Sequence, residues 1–140
     1  MLDEAGLGAA LRIYVEGFSK RSGIAADVLV PQDLPRHSQE LEISVFRIVQ
    51  ESLTNVHKHA EAKTVKICID QSLTDLTVSV EDDGKGLNNG HAVGVGFAGM
   101  QERVRQLRGT FQVSSGTTGT SIIATFPISA LGQSTSASPD

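Results

Sequence analysis

Residues 94–104 read GVGFAGMQERV, and the fold turns on how the glycines of this stretch are understood. Gly94, Gly96 and Gly99 spell G-x-G-x-x-G and open into a helical pattern, the form of a dinucleotide-binding fingerprint. That fold needs a hydrophobic strand directly before the first glycine and an acidic residue about 20 positions later for the ribose. The preceding NNGHAV is no strand, and residues 114–120 hold no Asp or Glu. The Rossmann reading is rejected. What survives is physical: glycine lets a backbone approach a ligand closely, and a helix N-terminus offers free N–H groups and a favourable dipole to an anion. On its own the stretch is as much a plain surface loop as a phosphate cradle.

The surroundings decide the architecture. Leu7, Leu11, Tyr14, Val15 and Phe18 recur at helical spacing up to about Ser22, and Gly23 follows as a stop. IAADVLV reads as a short strand before a loop punctuated by Pro31 and Pro35. QELEISVFRIVQESLTNVHKHA is one long helix with two apolar lines: Leu41, Val45, Ile48 and Ser52 on the first, Phe46, Val49, Leu53 and Val56 on the second. That width predicts a helix lying against a sheet. TVKICID and LTVSV alternate with period 2 across a polar turn at Ser72–Asp75, and FQVSS and SIIATFP do so across GTTG, giving two hairpins. Between them, DDGKGLNNGHAVGVGFAG holds six glycines in eighteen residues and is no regular element. A helix resumes at Met100, Val104 and Leu107 and stops at Gly109. Antiparallel strands with helices to one side predict an α/β (α+β) two-layer sandwich.

At 140 residues the chain supports one domain, taken as residues 1–128, and the small polar residues 129–140 read as a disordered tail. A net charge of −4 gives no basic footprint for nucleic acid. The single cysteine, Cys68, excludes an internal disulfide or a multi-cysteine zinc site, and its place in a strand-like run reads as an inert structural thiol. No run approaches the ~18 apolar residues of a membrane span and no signal peptide opens the chain. The expectation is a cytoplasmic domain without membrane contact.

Three short motifs carry chemistry. Glu51, Asn55 and Lys58 stand at i, i+4 and i+7 of the long helix, within about 60° of one another. One carboxylate, one amide oxygen and one ammonium are the groups that hold Mg²⁺ and phosphate, although a solvated polar face has the same look. DDGKG ends a buried-type strand: a carboxylate there can accept from an exocyclic amine, while Gly84 and Gly86 leave room for a flat ring. A calcium loop is the competitor, but EF-hand ligand spacing is missing after Asp83. GTTGT places small residues beside a strand flanking the same cavity.

Together these motifs resemble a known family. ESLTNVHKHA resembles the N box, DDGKG the G1 box and GVGFAGMQERV the G2 box of the GHKL ATPase superfamily. The string from FRIVQESLTNVHKHA to TSIIATFP is similar to the catalytic, ATP-binding domain of bacterial two-component sensor histidine kinases, in the subfamily paired with LuxR-type response regulators. The resemblance covers about residues 2–128, opening segment included. It implies a Bergerat sandwich, a mixed, mostly antiparallel sheet with helices on one face, binding ATP and Mg²⁺. By motif position Asn55 would be the Mg²⁺ ligand, and Glu51 the catalytic residue that orders the metal and its waters or polarises the reacting group. Lys58 and His59 would lie near the phosphates or ribose, His59 otherwise packing under the lid. Asp82 would bind the adenine amine, Gly84 and Gly86 shape that pocket, Gly94, Gly96 and Gly99 form the lid, and Thr120 close the adenine side. His37 and His57 match no motif and read as surface or loop residues. The lid is short, with seven residues between Gly86 and Gly94.

The resemblance further implies partners: a dimerisation domain bearing the phosphoacceptor histidine, not recognisable in this chain, and a downstream response regulator. On that reading the chain is an excised, monomeric fragment. The alternatives are an anti-sigma-factor-type serine kinase and a non-catalytic interaction module of the same superfamily. Gyrase, chaperone and mismatch-repair ATPases are larger and need a further lysine-bearing domain.

Overall fold

A computed structural model describes residues 2–84, 97–116 and 118–128. The elements follow in the order α1 (Leu2–Ser22), β1 (Ala25–Leu29), α2 (Gln39–Asn55), β2 (Thr64–Gln71), β3 (Asp75–Asp82), α3 (Phe97–Gln106), β4 (Thr110–Gly116) and β5 (Gly119–Pro127). The five strands form one sheet in the order β1-β2-β3-β5-β4. β1 and β2 pair in parallel and every other pair is antiparallel. The parallel pair needs a crossover, and α2 supplies it.

Period-2 alternation turns Val65, Ile67 and Ile69 of β2, Leu76, Val78 and Val80 of β3, and Ile122, Ala124 and Phe126 of β5 to one face. The three helices pack on that face in one continuous core. This is the expected two-layer sandwich. Burying a Leu, Ile or Val side chain there is worth about 1.5–3 kcal/mol each, and α2 alone contributes Leu41, Val45, Ile48, Val49 and Leu53. Its apolar width faces two neighbours rather than the sheet alone, because Phe46 meets Tyr14 of α1 edge-on with centroids 5.6 Å apart. Cys68 stands on the opposite sheet face, half-buried and in register with Leu29 and Ser79.

Local chemistry fixes the ends of α2. The Ser38 Oγ accepts the Leu41 N–H at 3.1 Å, an N-cap. Glu42, almost wholly buried, accepts from Arg36 Nε and Nη2 (3.1 and 3.2 Å) and from the His37 N–H (3.1 Å), tying the preceding loop to the first turn. His37 in turn meets Gln71 through Nε2 at 2.8 Å, so it is a half-buried link rather than a plain surface residue.

Three expectations need correction. The regular part of α1 does begin at Leu7, but a further turn precedes it across a break at Gly6 (φ 85°). The long helix is not α-helical to its end: it widens into a π turn at Val56–Ala60, stopped by Glu61 in the left-handed region (φ 52°). Within that turn Val56 is in the core and Lys58 is exposed. The stop of α3 is not Gly109 itself. Arg108 takes the left-handed conformation (φ 64°), with its N–H on the Arg105 carbonyl and the Gly109 N–H on the Val104 carbonyl, both 2.9 Å, a Schellman arrangement. Gly109 is required for a different reason: a Cβ there would collide with the Thr125 carbonyl oxygen.

No helix among the described residues is long and apolar enough to cross a membrane. The tail at 129–140 lies outside the described residues.

Candidate nucleotide site

The last turns of α2, the end of β3, the start of α3 and the start of β5 converge on one small cavity. It is lined by Ser52, Asn55, Val56, Asp82, Phe97, Thr120 and Ile122 and holds about 10 Å³, room for one water. The antiparallel β3–β5 pairing brings Asp82 and Thr120 to the same sheet end. Gly119 makes that possible: with φ 139° it passes so close that a Cβ would collide with the Asp82 carbonyl oxygen. Thr120 is buried, its hydroxyl 3.1 Å from that of Ser115.

The two adjacent carboxylates of DDGKG divide their work. Asp82 is half-buried beside the cavity, and its Oδ1 accepts the Gly84 N–H at 2.8 Å. Burial pushes its carboxyl above the ordinary value, against the Gly84 and Thr120 backbone N–H groups that stabilise the anion, and the charge of Asp83 adds to the rise. Asp83 is exposed and points elsewhere. Its Oδ1 accepts the Lys63 and Thr64 N–H groups, both at 2.9 Å, and these bonds hold its carboxyl below the ordinary value. Asp83 thus fastens the end of β3 to the start of β2. Of the two carboxylates, Asp82 and not Asp83 lines the cavity.

α3 packs over the same end of α2. The Ser52 Oγ lies 3.7 Å from Met100 Sδ, and Arg103 Nη2 approaches Glu51 Oε2 at 3.7 Å. Phe97, at the head of α3, sits between the cavity and Phe111 of β4, the rings 6.1 Å apart. Among the described residues, two buried side-chain nitrogens have no hydrogen-bond partner, Asn55 Nδ2 and Arg103 Nε.

Of the residues singled out in the sequence, Asn55, Asp82 and Thr120 meet at the cavity, and Gly84 is buried beside them with its N–H on Asp82. Glu51 is one turn back on α2, half-exposed and beside Arg103. Lys58 is exposed on the π turn and does not line the cavity. Gly99 belongs to the first turn of α3 rather than to a loop, with open space where a Cβ would stand. Gly86, Gly94 and Gly96 lie outside the described residues, as does the side chain of His59. Sequence reasoning missed Ser52, Phe97 and Arg103. Ser52 carried a signal, a lone hydroxyl on an apolar helical line. Phe97 was hidden as an unassigned position of the glycine pattern, and Arg103 looks like any cation on a solvated face.

Both the helices and the strands match known proteins. The family model of histidine kinase-, DNA gyrase B-, and HSP90-like ATPases matches residues 40–130. The chain is 37% identical over 130 residues to the signal transduction histidine-protein kinase/phosphatase DegS of Brevibacillus brevis, covering 91% of this chain and 34% of that protein. It is 33% identical over 117 residues to the oxygen sensor histidine kinase NreB of Staphylococcus carnosus, covering 81% and 34%. It therefore spans about a third of the length of these relatives. In structure it resembles the histidine kinase domain of the blue-light activated histidine kinase of Erythrobacter litoralis, with a TM-score of 0.77 and 26% identity over 92% of this chain and 63% of that one. With the family match spanning most of the sheet and all three cavity-lining motifs, the chain belongs to the histidine kinase-, DNA gyrase B-, and HSP90-like ATPases.

Proposed function

We propose that this chain is the ATP-binding catalytic domain of a sensor histidine kinase, and that the cavity beside Asp82 receives the adenine. The observation that carries the reading is the Asp82 carboxylate, half-buried at the end of β3 and kept ionisable by two backbone amides. A carboxylate has about four acceptor positions, so those amides leave others for the exocyclic amine of adenine. Thr120 closes the ring's side, and Gly84, with Gly86 beyond it, leaves the ring room. At about 10 Å³ the cavity admits a base only as Phe97 and the head of α3 draw outward.

The phosphates then run along α2 towards Glu51. Asn55 and Glu51 offer one amide oxygen and one carboxylate, and no cluster of three or more His, Cys, Asp or Glu residues stands among the described residues. Such a sparse donor set suits Mg²⁺, which keeps several waters and takes its other ligands from substrate phosphates. When bound, Mg²⁺ neutralises charge developing on the phosphates. Glu51 orients the reacting group, Lys58 stands near enough in sequence to steer the phosphates from solvent, and Gly94 and Gly96, ahead of Gly99 in the first turn of α3, supply a lid. His59 serves the ribose or packs beneath that lid. The domain's contribution is positioning, and the acceptor is a histidine on a dimerisation domain that later passes the phosphoryl group to a LuxR-type response regulator. All of this takes place in the cytoplasm, where ATP is.

The test is calorimetric titration with ATP, with and without Mg²⁺, followed by mixing with a separately produced dimerisation domain of a related kinase and radiolabelled ATP. Mg²⁺-dependent binding and label on histidine support the proposal. A folded chain that binds no ATP refutes the site, and ATP binding with transfer only to serine refutes the kinase class.

A further inference from the structure

Arg103 and Arg36 each turn a guanidinium towards a glutamate, with different results. Arg36 closes its Nε and Nη2 on Glu42 at 3.1 and 3.2 Å. Arg103 brings only Nη2 towards Glu51, at 3.7 Å, beyond hydrogen-bond length, and its buried Nε has no acceptor among the described residues. Packing gives no reason for this. The core-filling residues of α3 are Phe97, Met100 and Val104, whereas the Arg103 side chain keeps 30% of its exposure. Buried donors without acceptors are rare in folded proteins, and each one calls for an explanation. Here the second such donor, Asn55 Nδ2, lies one turn beyond Glu51 on the same face of α2, where residues four apart are neighbours. Two unsatisfied donors, Asn55 Nδ2 and the Nε of the Arg103 guanidinium fork, thus stand at the α2–α3 junction. The planar fork matches a phosphate in two parallel hydrogen bonds.

We propose that Arg103 is a phosphate-binding residue of the nucleotide site, its Nε–Nη2 edge taking oxygens of the phosphate chain of a nucleoside polyphosphate while Asn55 Nδ2 donates to the same chain. The proposal rests on the nucleotide reading of the cavity beside Asp82. It assigns α3 a direct role in holding the substrate: the element that shuts the adenine cavity with Phe97 grips the phosphates with Arg103, two turns further on.

The experiment is amide NMR titration, which follows millimolar as well as micromolar binding, of wild type, Arg103→Gln and Arg103→Lys with ATP and with adenosine. Loss of a charged bidentate partner predicts ATP affinity lower by about tenfold or more in Arg103→Gln, with adenosine affinity unchanged. Arg103→Lys keeps the charge without the fork and loses several-fold. ATP affinity equal to wild type in either variant overturns the proposal, as does an equal loss for ATP and adenosine, which signals a disturbed fold. If Arg103→Gln gives the spectrum of an unfolded chain, Arg103→Lys decides by the same criteria. Wild type binding neither ligand would instead refute the underlying nucleotide site, a result distinct from either.

Discussion

Replacing Asp82 by Asn separates binding from stability, and the two readouts move in opposite directions. The Gly84 and Thr120 amides already use part of the carboxylate. An asparagine has a single carbonyl oxygen, so satisfying those amides turns its NH₂ to the cavity, donor against the adenine's donor. Hydrogen bonds to charged groups are worth about 1.5–3 kcal/mol, which places the loss of ATP affinity at roughly 10- to 150-fold. Stability goes the other way. A carboxyl raised by burial favours folding while protonated, an advantage fully present below the unfolded value of 3.8 and lost as pH rises through the folded value. Asp82→Asn cannot ionise, so relative to wild type it gains stability as pH rises through that window. Asp83, held low by its amides, has the opposite sign: its contribution is present above 3.8 and lost on acidification below it, and it is common to both proteins. Urea unfolding at about pH 3 and about pH 7, with ATP titration at the latter, reads both effects. Full ATP affinity in the variant would falsify the adenine assignment, and a stability difference independent of pH would refute the burial argument.

Gly119→Ala puts a methyl group against the Asp82 carbonyl at φ 139°. Backbone strain alone is worth about 1–3 kcal/mol, so the urea midpoint falls and ATP binding weakens with it. An unchanged midpoint would show that the two strands can separate freely at that end. Ile48→Ala, fully buried in the middle of α2, lowers the unfolding free energy by about 2–5 kcal/mol, and a loss under 1 kcal/mol by the same assay contradicts the packing described. Glu42→Ala removes the carboxylate that accepts from Arg36 and the His37 amide, which costs about 2 kcal/mol and speeds hydrogen exchange of the His37 amide. Unaltered exchange there argues against the glutamate as the loop's anchor.

The elements whose residues answer to local rules were legible in the sequence. Period-2 alternation located four of the strands around their polar turns, and the wide apolar surface marked α2 as the helix on the sheet. Asn55 and Asp82 stand at the ends of regular elements and Thr120 at the start of one, and it was the resemblance of their motifs to the family's boxes that singled them out. What escaped depends on contacts between distant segments. Nothing local announces that α2 widens into a π turn from Val56 onward. Arg108, not the adjacent glycine, takes the left-handed position, because the close approach of Thr125 reserves the glycine for itself. Arg103 and Phe97 join the site only through the way α3 crosses α2, which no spacing within either helix encodes.

The sheet has two very different ends. Near the Gly116–Gly119 turn, β5 is pressed against Asp82, so a bulky label or inserted peptide there would disturb the cavity beside Asp82. The Ser72–Thr74 turn lies at the opposite end of β3, roughly 23 Å away along eight residues of strand. It is closed by its own hydrogen bonds from Thr74 and Asp75 to Ser72 Oγ, and Leu73 projects from it 79% exposed. That outward side chain is the natural place to attach a fluorophore or a fusion partner, and a reporter mounted there would leave the nucleotide end of the domain untouched.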